Sequence, residues 1–416
     1  MPADKIRVVA LGGCGGMGQF AVRTALGFDF VDEIVIGDRD EHRAREFAAR
    51  CGPRTSSVGV DVLDETALAD MLKGADVVMA TVGPYYRFGV PILQAAIRAG
   101  CHYLDINDDW EPTLDMLALD EEARKAGVTA VIGMGASPGL SNLLALKAMG
   151  ELDKVDDLVT GWGTGGHDEE LSEKPGEGGT LRAATEHWIH QLTGKIRVRR
   201  NGEYVDANPF EEIRIDYPGI GAVTTHTVGH PEPITLPRFR PEIRNSWNVM
   251  NMPPYVIEPM RWVASQVNAG RMSTDEATDQ VNNILMGGSG WGKLLLTRLG
   301  RRMFVQYLLA SRKTVSYVAT LFAYAAGTKD GKPRKVGTRL SAVPYGGMKN
   351  ETMGGVTGVP LATALAMFAK GKIDRRGVFA PEGAIEPDAF FDELAPLCTP
   401  RKIDAKELVE LSISDG

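Results

Sequence analysis

"VVALGGCGGMGQFAV", Val8 to Val22, runs from an apolar strand through a knot of glycines into a helical pattern. Within it, Gly13-Cys14-Gly15-Gly16-Met17-Gly18 fits G-x-G-x-x-G. In a chain with 48 glycines among 416 residues that spacing alone decides little, and its setting decides more. Gly13 is expected to permit the tight turn, Gly15 to let backbone N–H groups approach a pyrophosphate, and Gly18 to let the helix pack on the strand. Gly16 and Met17 lie where the helix opens and its amino end faces the anion. The second half of such a fingerprint is an acid about 20 residues on, closing the second strand. Asp38 in "EIVIGDRD" stands there. Its carboxylate can accept ribose hydroxyls, which slightly favours NAD, while Arg39 leaves NADP open.

Working outward, short apolar runs alternate with helical periodicity through the first 150 residues. Ile6–Leu11, Glu33–Ile36, Ser57–Val60, Val77–Ala80, Tyr103–Asp105 and Thr129–Ile132 read as strands. Met17–Gly27, Glu41–Arg50, Asp64–Lys73, Val90–Ala99 and Leu117–Ala126 read as helices. Strict alternation predicts an α/β Rossmann fold, a doubly wound parallel sheet. From Asp156 the strands (Val155–Gly161, Ile196–Arg200, Ile213–Asp216, Val223–Val228) follow one another with loops between them, the pattern of a mostly antiparallel sheet. "GTGGHDEELSEKPGEGG", Gly163–Gly179, reads as a mobile loop. The prolines between Pro231 and Pro259 argue against long regular structure there. Helices are expected at Ile257–Ala269, Thr274–Leu285, Lys293–Arg312 and Val359–Lys370, a strand at Val315–Ala325, and a hairpin at Asp330-Gly331. The expected domains are 1–150 for the dinucleotide, an inserted α+β substrate and dimerisation domain at 151–355, and 356–416 returning to the first. Lys402–Gly416 is expected to fray.

The totals set limits on partners. A net charge of −8 argues against nucleic acid or an anionic membrane as the main partner. Cys14, Cys51, Cys101 and Cys398 form no CxxC pair, which suits free thiols in a reducing cytoplasm and no metal site. The start of the chain shows no apolar signal region. Met303–Ala326 is apolar but broken by Arg312 and Lys313, and reads as partly helical and buried.

Several stretches together resemble the saccharopine dehydrogenase-like family of NAD(P)-dependent oxidoreductases. They are "GGCGGMG", "DVLDETALADMLKGADVVMATVGPYYRFGVPILQAAIRAGCHYLDI", "EEARKAGVTAVIGMGASPGLSNLLA" and "TGVPLATALAMFAKGKI". The likeness is strong over residues 5–150, returns at 320–400 and is weak between, where Pro241–Lys313 looks like an insertion. The resemblance implies oxidation or reduction at a CH–NH or CH–NH2 bond of an amino-acid-derived substrate, and a C-terminal helix returning to the nucleotide domain. Because fold likeness does not fix the bond reduced, reduction of a C=C or C=O bond is the alternative, and a non-catalytic nucleotide sensor a third reading.

Candidate residues follow from the strand ends, where open α/β sheets bind ligands. "DV", Asp61-Val62, follows the third strand beside the adenosine position. "TVGPYYRFG" ends the fourth, and Thr81, Val82, Gly83 and Pro84 can pass under the nicotinamide ribose. Tyr85 matches the Pro-Tyr of the family and can relay a proton, and Arg87 can pair with a substrate carboxylate. "YLDINDDW" ends the fifth strand. Asp105 is the expected acid–base residue, because an amine needs a carboxylate to hold or deprotonate it, with Asn107 on the same face. Gly135 in "GMGASPGLSN" can offer a backbone N–H to the cofactor. His230 and Glu232 are the candidates in the substrate domain. The partner expected is a small molecule, within a homodimer.

Overall fold

The computed structural model describes residues 5–163, 179–285, 297–310, 316–341, 353–398 and 404–416. Its chain divides into two compact units, residues 1–147 with 343–410 and residues 148–342 with 411–416.

The first unit begins with β1 (Ile6–Leu11), α1 (Gly18–Ala25), β2 (Val31–Asp38), α2 (Glu41–Cys51), β3 (Thr55–Gly59), α3 (Glu65–Leu72), β4 (Val77–Ala80) and α4 (Tyr85–Ala99). β5 (His102–Asp105), α5 (Trp110–Ala118), α6 (Asp120–Lys125), β6 (Thr129–Val131) and α7 (Leu140–Gly150) follow. The helix starts are chemically marked. Asp40 accepts from the Arg43 N–H and Asp64 from those of Thr66 and Ala67, satisfying first-turn donors of α2 and α3. Gly100 ends α4 in the left-handed conformation that a Cβ disfavours. Val9, Leu11, Val78, Ala80 and Tyr103 bring the strand faces into one core with Leu68, Leu72, Ile92, Leu93 and Met116 of the helices.

The second unit holds β7 (Lys154–Gly163), α8 (Gly179–Gln191), β8 (Ile196–Arg200), β9 (Glu203–Ala207), β10 (Glu212–Tyr217), β11 (Gly221–Thr227), α9 (Glu232–Phe239) and β12 (Asn245–Asn251). Then come α10 (Pro254–Asn268), α11 (Thr274–Leu285), α12 (Arg298–Ala310), β13 (Leu321–Lys329) and β14 (Lys332–Leu340). The sheet order is β10-β11-β12-β7-β13-β14-β16, where β16 is Val409–Asp415, with β8 paired to β12 and β9. β12 runs parallel to β7, while β7–β13, β13–β14, β11–β12 and β10–β11 are antiparallel. The sheet curls until Tyr217 lies over Gly337 and Lys335 reaches Asp216 at 2.7 Å. One face thus packs on itself through Val159, Val249 and Phe322. The hairpin turn is Asp330-Gly331, with φ of +50° and +76°.

The chain returns to the first unit through α13 (Met353–Ala369), β15 (Gly377–Phe379), α14 (Pro381–Ala384), α15 (Pro387–Leu394) and α16 (Ala405–Leu408), and ends in β16 (Val409–Asp415). β15 joins β6, completing a parallel seven-stranded order β15-β6-β5-β4-β1-β2-β3. The fold is the doubly wound sheet with a second, mostly antiparallel one that the sequence predicts.

Five details differ from the sequence reading. The helix expected at Ile257–Ala269 starts three residues earlier, as the 15-residue α10 with Pro259 inside it, because Pro253 and Pro254 sit at the helix start, where no N–H partner is needed. β12, in the stretch whose prolines argue against regular structure, is a strand inside the sheet. The strand expected at Val315–Ala325 starts at Leu321. The end of the chain is held: Arg334 Nε donates to Asp415 at 2.6 Å and the Gly416 N–H to Pro333 O at 3.0 Å. The C-terminal helix begins six residues before Val359. The loop expected at Gly163–Gly179 lies, from residue 164 to 178, outside the described residues.

Candidate functional site

The glycine loop joins β1 to α1 at the carboxyl end of the sheet. Gly12, not Gly13, makes the turn: its φ is +71°, and a Cβ there would stand 2.9 Å from Thr81 O. At Gly13 a Cβ would meet Ala10 Cβ at 2.9 Å and Val22 Cγ2 at 3.1 Å, so Gly13 serves strand–helix packing. Gly18 does so more tightly, with Gly12 O at 2.3 Å and Thr81 Oγ1 at 2.7 Å from a virtual Cβ. Gly15 differs, since a Cβ there would meet only Gly12 O, at 3.1 Å. The Gln19 N–H donates to Gly15 O, and those of Phe20 and Ala21 to Met17 O. The N–H groups of Gly16, Met17 and Gly18 donate to no acceptor among the described residues. Three free donors at a helix start, beside an open backbone edge, are the components of a phosphate cradle, and they fit a dinucleotide.

Asp38 ends β2 beside this loop. Its Oδ2 accepts the Cys14 thiol at 3.0 Å and its Oδ1 the Asp40 N–H at 3.0 Å. Burial, and then the bond to Asp38, push the Cys14 thiol up to about 12, so it is an inert donor that orients the carboxylate. Arg39 is exposed. Arg43, one turn into α2, acts electrostatically on the Cys14 thiol, a cation that sequence spacing did not single out. Asp61 is exposed and its Oδ1 accepts the Leu63 N–H at 3.0 Å, while Val62 is buried in the core.

Beyond β4, the Thr81 N–H and hydroxyl both donate to Leu11 O, at 2.8 and 3.0 Å, which clips the β4 end to the glycine turn. Val82 and Pro84 are half-buried, and Gly83 is exposed with open space where a side chain would be. Tyr85 is not presented to a ligand. It is buried, its hydroxyl donates to Ala80 O at 2.8 Å, and it accepts the Ile106 N–H. Burial and the nearby Asp105 hold its proton on well above the usual phenol range. It therefore ties the ends of β4 and β5 together. Arg87 is exposed, its guanidinium 5.1 Å from the Phe88 ring centre.

Asp105 has no exposed surface. Its Oδ1 accepts the Gly133 N–H at 2.6 Å and the Asn107 N–H at 3.0 Å, and its Oδ2 accepts the Tyr103 hydroxyl at 2.8 Å. Burial outweighs these donors and raises its pKa to about 7. Asn107 is likewise built in: its Nδ2 donates to Thr113 Oγ1 at 2.8 Å and its Oδ1 accepts the Asp109 N–H at 3.1 Å. The acid of this loop that keeps surface is the half-buried Asp108. The next loop is knotted on itself. The Gly135 N–H donates to Pro138 O at 3.0 Å, and that of Gly139 to Asn142 Oδ1 at 2.9 Å. Asn142 in turn donates to the buried Glu382 at 2.7 Å. Gly135 thus spends its N–H inside the loop, since a bridge to Gly139 holds it there.

In the second unit, His230 Nδ1 lies 3.4 Å from Glu232 Oε2, with both side chains buried. Asn248 Nδ2 donates to Glu232 Oε1 and to Thr160 Oγ1, each at 2.9 Å. The two candidates of this unit are buried neighbours in a polar cluster with residues of β7, β12 and α9.

The structure adds α13 to the back of the glycine loop. A Cβ at Gly354 would lie 2.7 Å from Gly16 O, and one at Gly358 2.4 Å from Met17 O. Thr357 Cγ2 fills the space beside Gly135, 3.0 Å from a virtual Cβ. The G-x-x-x-G spacing of 354 and 358 was the available signal, since small residues let helices approach closely.

Comparison with known proteins follows this geometry. Residues 8–131 match the model of the saccharopine dehydrogenase NADP binding domain, and residues 135–396 that of the saccharopine dehydrogenase C-terminal domain. The likeness thus runs through the middle of the chain, where the quoted stretches leave it weak. A trans-acting enoyl reductase of Mycobacterium ulcerans is 29% identical over 108 residues, 25% of this chain and 26% of that protein. A "Probable mitochondrial saccharopine dehydrogenase-like oxidoreductase" of Arabidopsis thaliana is 31% identical over 122 residues, 26% of this chain and 27% of the relative. The aligned stretches therefore span about a quarter of these relatives. Apo saccharopine dehydrogenase (L-Glu forming) from Saccharomyces cerevisiae superposes with a TM-score of 0.61 at 17% identity, covering 98% of this chain and all of that one, a likeness of fold. No helix among the described residues is long and apolar enough to cross a membrane.

Proposed function

The chain belongs to the saccharopine dehydrogenase family, and from that premise we propose that it is an NAD(P)-dependent reductase of a carbon–carbon double bond conjugated to a carbonyl. The observation that carries this reading is the sealing of Asp105. The amine reading takes Asp105 as the carboxylate that touches a substrate nitrogen, and Asp105 has no exposed surface and three donors on its oxygens. A neutral enoyl carbon needs no such partner. The enoyl reductase activity in the name of the Mycobacterium ulcerans relative supports the same choice.

In this reading the N–H groups of Gly16, Met17 and Gly18 take the pyrophosphate, and Asp38, already aimed by Cys14, takes the adenosine ribose. Arg39 and Arg43 give a 2′-phosphate a cationic seat, so NADH and NADPH are both tested. When bound, the nicotinamide supplies a hydride. Thr81 holds the glycine turn against β4, and Asp105 and Tyr85 act as positioning residues that fix the loops after β4, β5 and β6. Hydride delivery to the β-carbon is then mainly a matter of orientation, and a proton from solvent at the α-carbon completes the reduction.

The second reading, turnover at a CH–NH bond, draws on Asp108, which keeps surface in the same loop and can face an ammonium group. Nicotinamide absorbance distinguishes the two. With NADH and NADPH in parallel, 2-enoyl thioesters should oxidise the cofactor, while mixtures of amino acids with 2-oxo acids should not. Turnover of the amine mixtures alone sinks the enoyl proposal. No turnover with either, but tight cofactor binding, points to a nucleotide sensor.

A further inference from the structure

We propose that the exposed face of α12 docks the protein on an anionic phospholipid surface. The sequence supplies the first observation. From Gln280 to Lys329 there is no Asp or Glu, while Lys293, Arg298, Arg301, Arg302, Arg312, Lys313 and Lys329 are basic, in a chain whose net charge is −8. The structure supplies the second. Val305, Leu308 and Leu309 of α12 are 51%, 48% and 52% exposed, and they are three of the most exposed branched side chains described. They do not replace the buried side of the helix, because Leu299 is 2% exposed and packs in the core with Met260 and Val263 of α10.

Helical geometry aligns the two observations. At about 100° per residue, positions 298, 301, 302, 305, 308 and 309 fall within an arc of roughly 120°. That arc holds three exposed arginines followed by three half-exposed aliphatics. Arg302 also stands 5.1 Å from the Trp262 ring centre, which steadies the arginine end against α10. A helix lying flat with this face down seats the aliphatic half in the acyl boundary and its guanidinium groups at phosphate level. The overall negative charge, which argues against an anionic surface for the chain as a whole, is excluded from this segment. An acidic protein partner would use the arginines but leave the aliphatic half without a function, so the lipid interface accounts for both halves.

Flotation of the full chain with phosphatidylcholine vesicles, and with vesicles that also contain phosphatidylglycerol, tests this. Binding is expected only to the anionic vesicles and should fall in high salt. Arg298→Gln with Arg301→Gln should weaken it about thirty-fold, and Val305→Gln with Leu309→Gln at least about ten-fold, with melting temperature and cofactor binding unchanged. Equal binding to both vesicle types, or binding that survives the aliphatic change, overturns the proposal. So does self-association abolished by Val305→Gln with Leu309→Gln, or salt-sensitive binding to an acidic polypeptide, when the vesicles are not bound. If a variant does not fold, quenching of the wild-type tryptophan fluorescence by brominated phosphatidylglycerol decides, and its absence overturns the proposal.

Discussion

Replacing Asp105 by Asn should remove one pH-dependent contribution to stability. Folding raises this carboxyl from 3.8 to about 7 because it is fully buried. Below pH 3.8 both the folded and the unfolded chain hold the proton. Between there and pH 7 the unfolded chain releases it first, so stability is lost as pH rises through that window and is then constant. Integrating the two titrations between pH 5 and pH 8 gives a loss of about 2.5 kcal/mol from this one group. An asparagine keeps the oxygen that accepts the Gly133 and Asn107 N–H groups, and sets its uncharged amide in the place of Oδ2, beside the Tyr103 oxygen. Asp105→Asn should therefore gain on the wild type by that amount over the same range. Urea unfolding of both proteins at pH 5, 6, 7 and 8, followed by circular dichroism with the slopes compared, measures it. A stability difference that stays constant, or that moves in favour of the aspartate as pH rises, refutes the assignment of a buried, proton-holding carboxyl.

Four further outcomes follow from the same geometry. Gly15→Ala should leave stability within about 0.5 kcal/mol, yet weaken NADH and NADPH binding by about ten-fold or more in a fluorescence titration, since its Cβ meets little protein and stands where phosphate must approach. Gly18→Ala should instead cost roughly 1–3 kcal/mol of stability along with the binding, because its Cβ lands 2.3 Å from Gly12 O. Gly358→Val should lower the melting temperature and the cofactor affinity together, through pressure on Met17. Of the four thiols, native protein should give up only the half-buried Cys51 to a disulfide reagent near pH 8, with Cys14, Cys101 and Cys398 reacting after denaturation. Rapid modification of Cys14 would contradict its bond to Asp38.

The parts of this molecule that are legible in sequence are those whose cause is local. The alternation of strands and helices, the Asp330-Gly331 turn and the fingerprint from Gly13 to Asp38 all depend on residues near one another in the chain. What local pattern could not supply is burial. Asp105 and Tyr85 stand at a strand end and a helix start, where ligand-facing residues are common, and only the packing of β4, β5 and β6 shows that both are turned inward. α10 and α12 teach the converse. Proline at Pro253 and Pro254 starts a helix because its missing N–H falls among the donors that no helix satisfies, and the apolar run after Met303 is half exposed because α10 covers just one side of it. β15 is three residues long, below the length at which alternation can be read.

The packing of Gly354 and Gly358 on the glycine loop has a consequence for synthesis. The nucleotide unit is made of two separate stretches, and the other unit lies almost whole between them. As the ribosome works, residues 148–342 can assemble while α1 still lacks the helix that presses on it and β6 still lacks β15. The glycine loop thus waits for residues made more than 300 positions later, and a chain cut short after residue 342 carries every element of the fingerprint without the wall that holds it in shape.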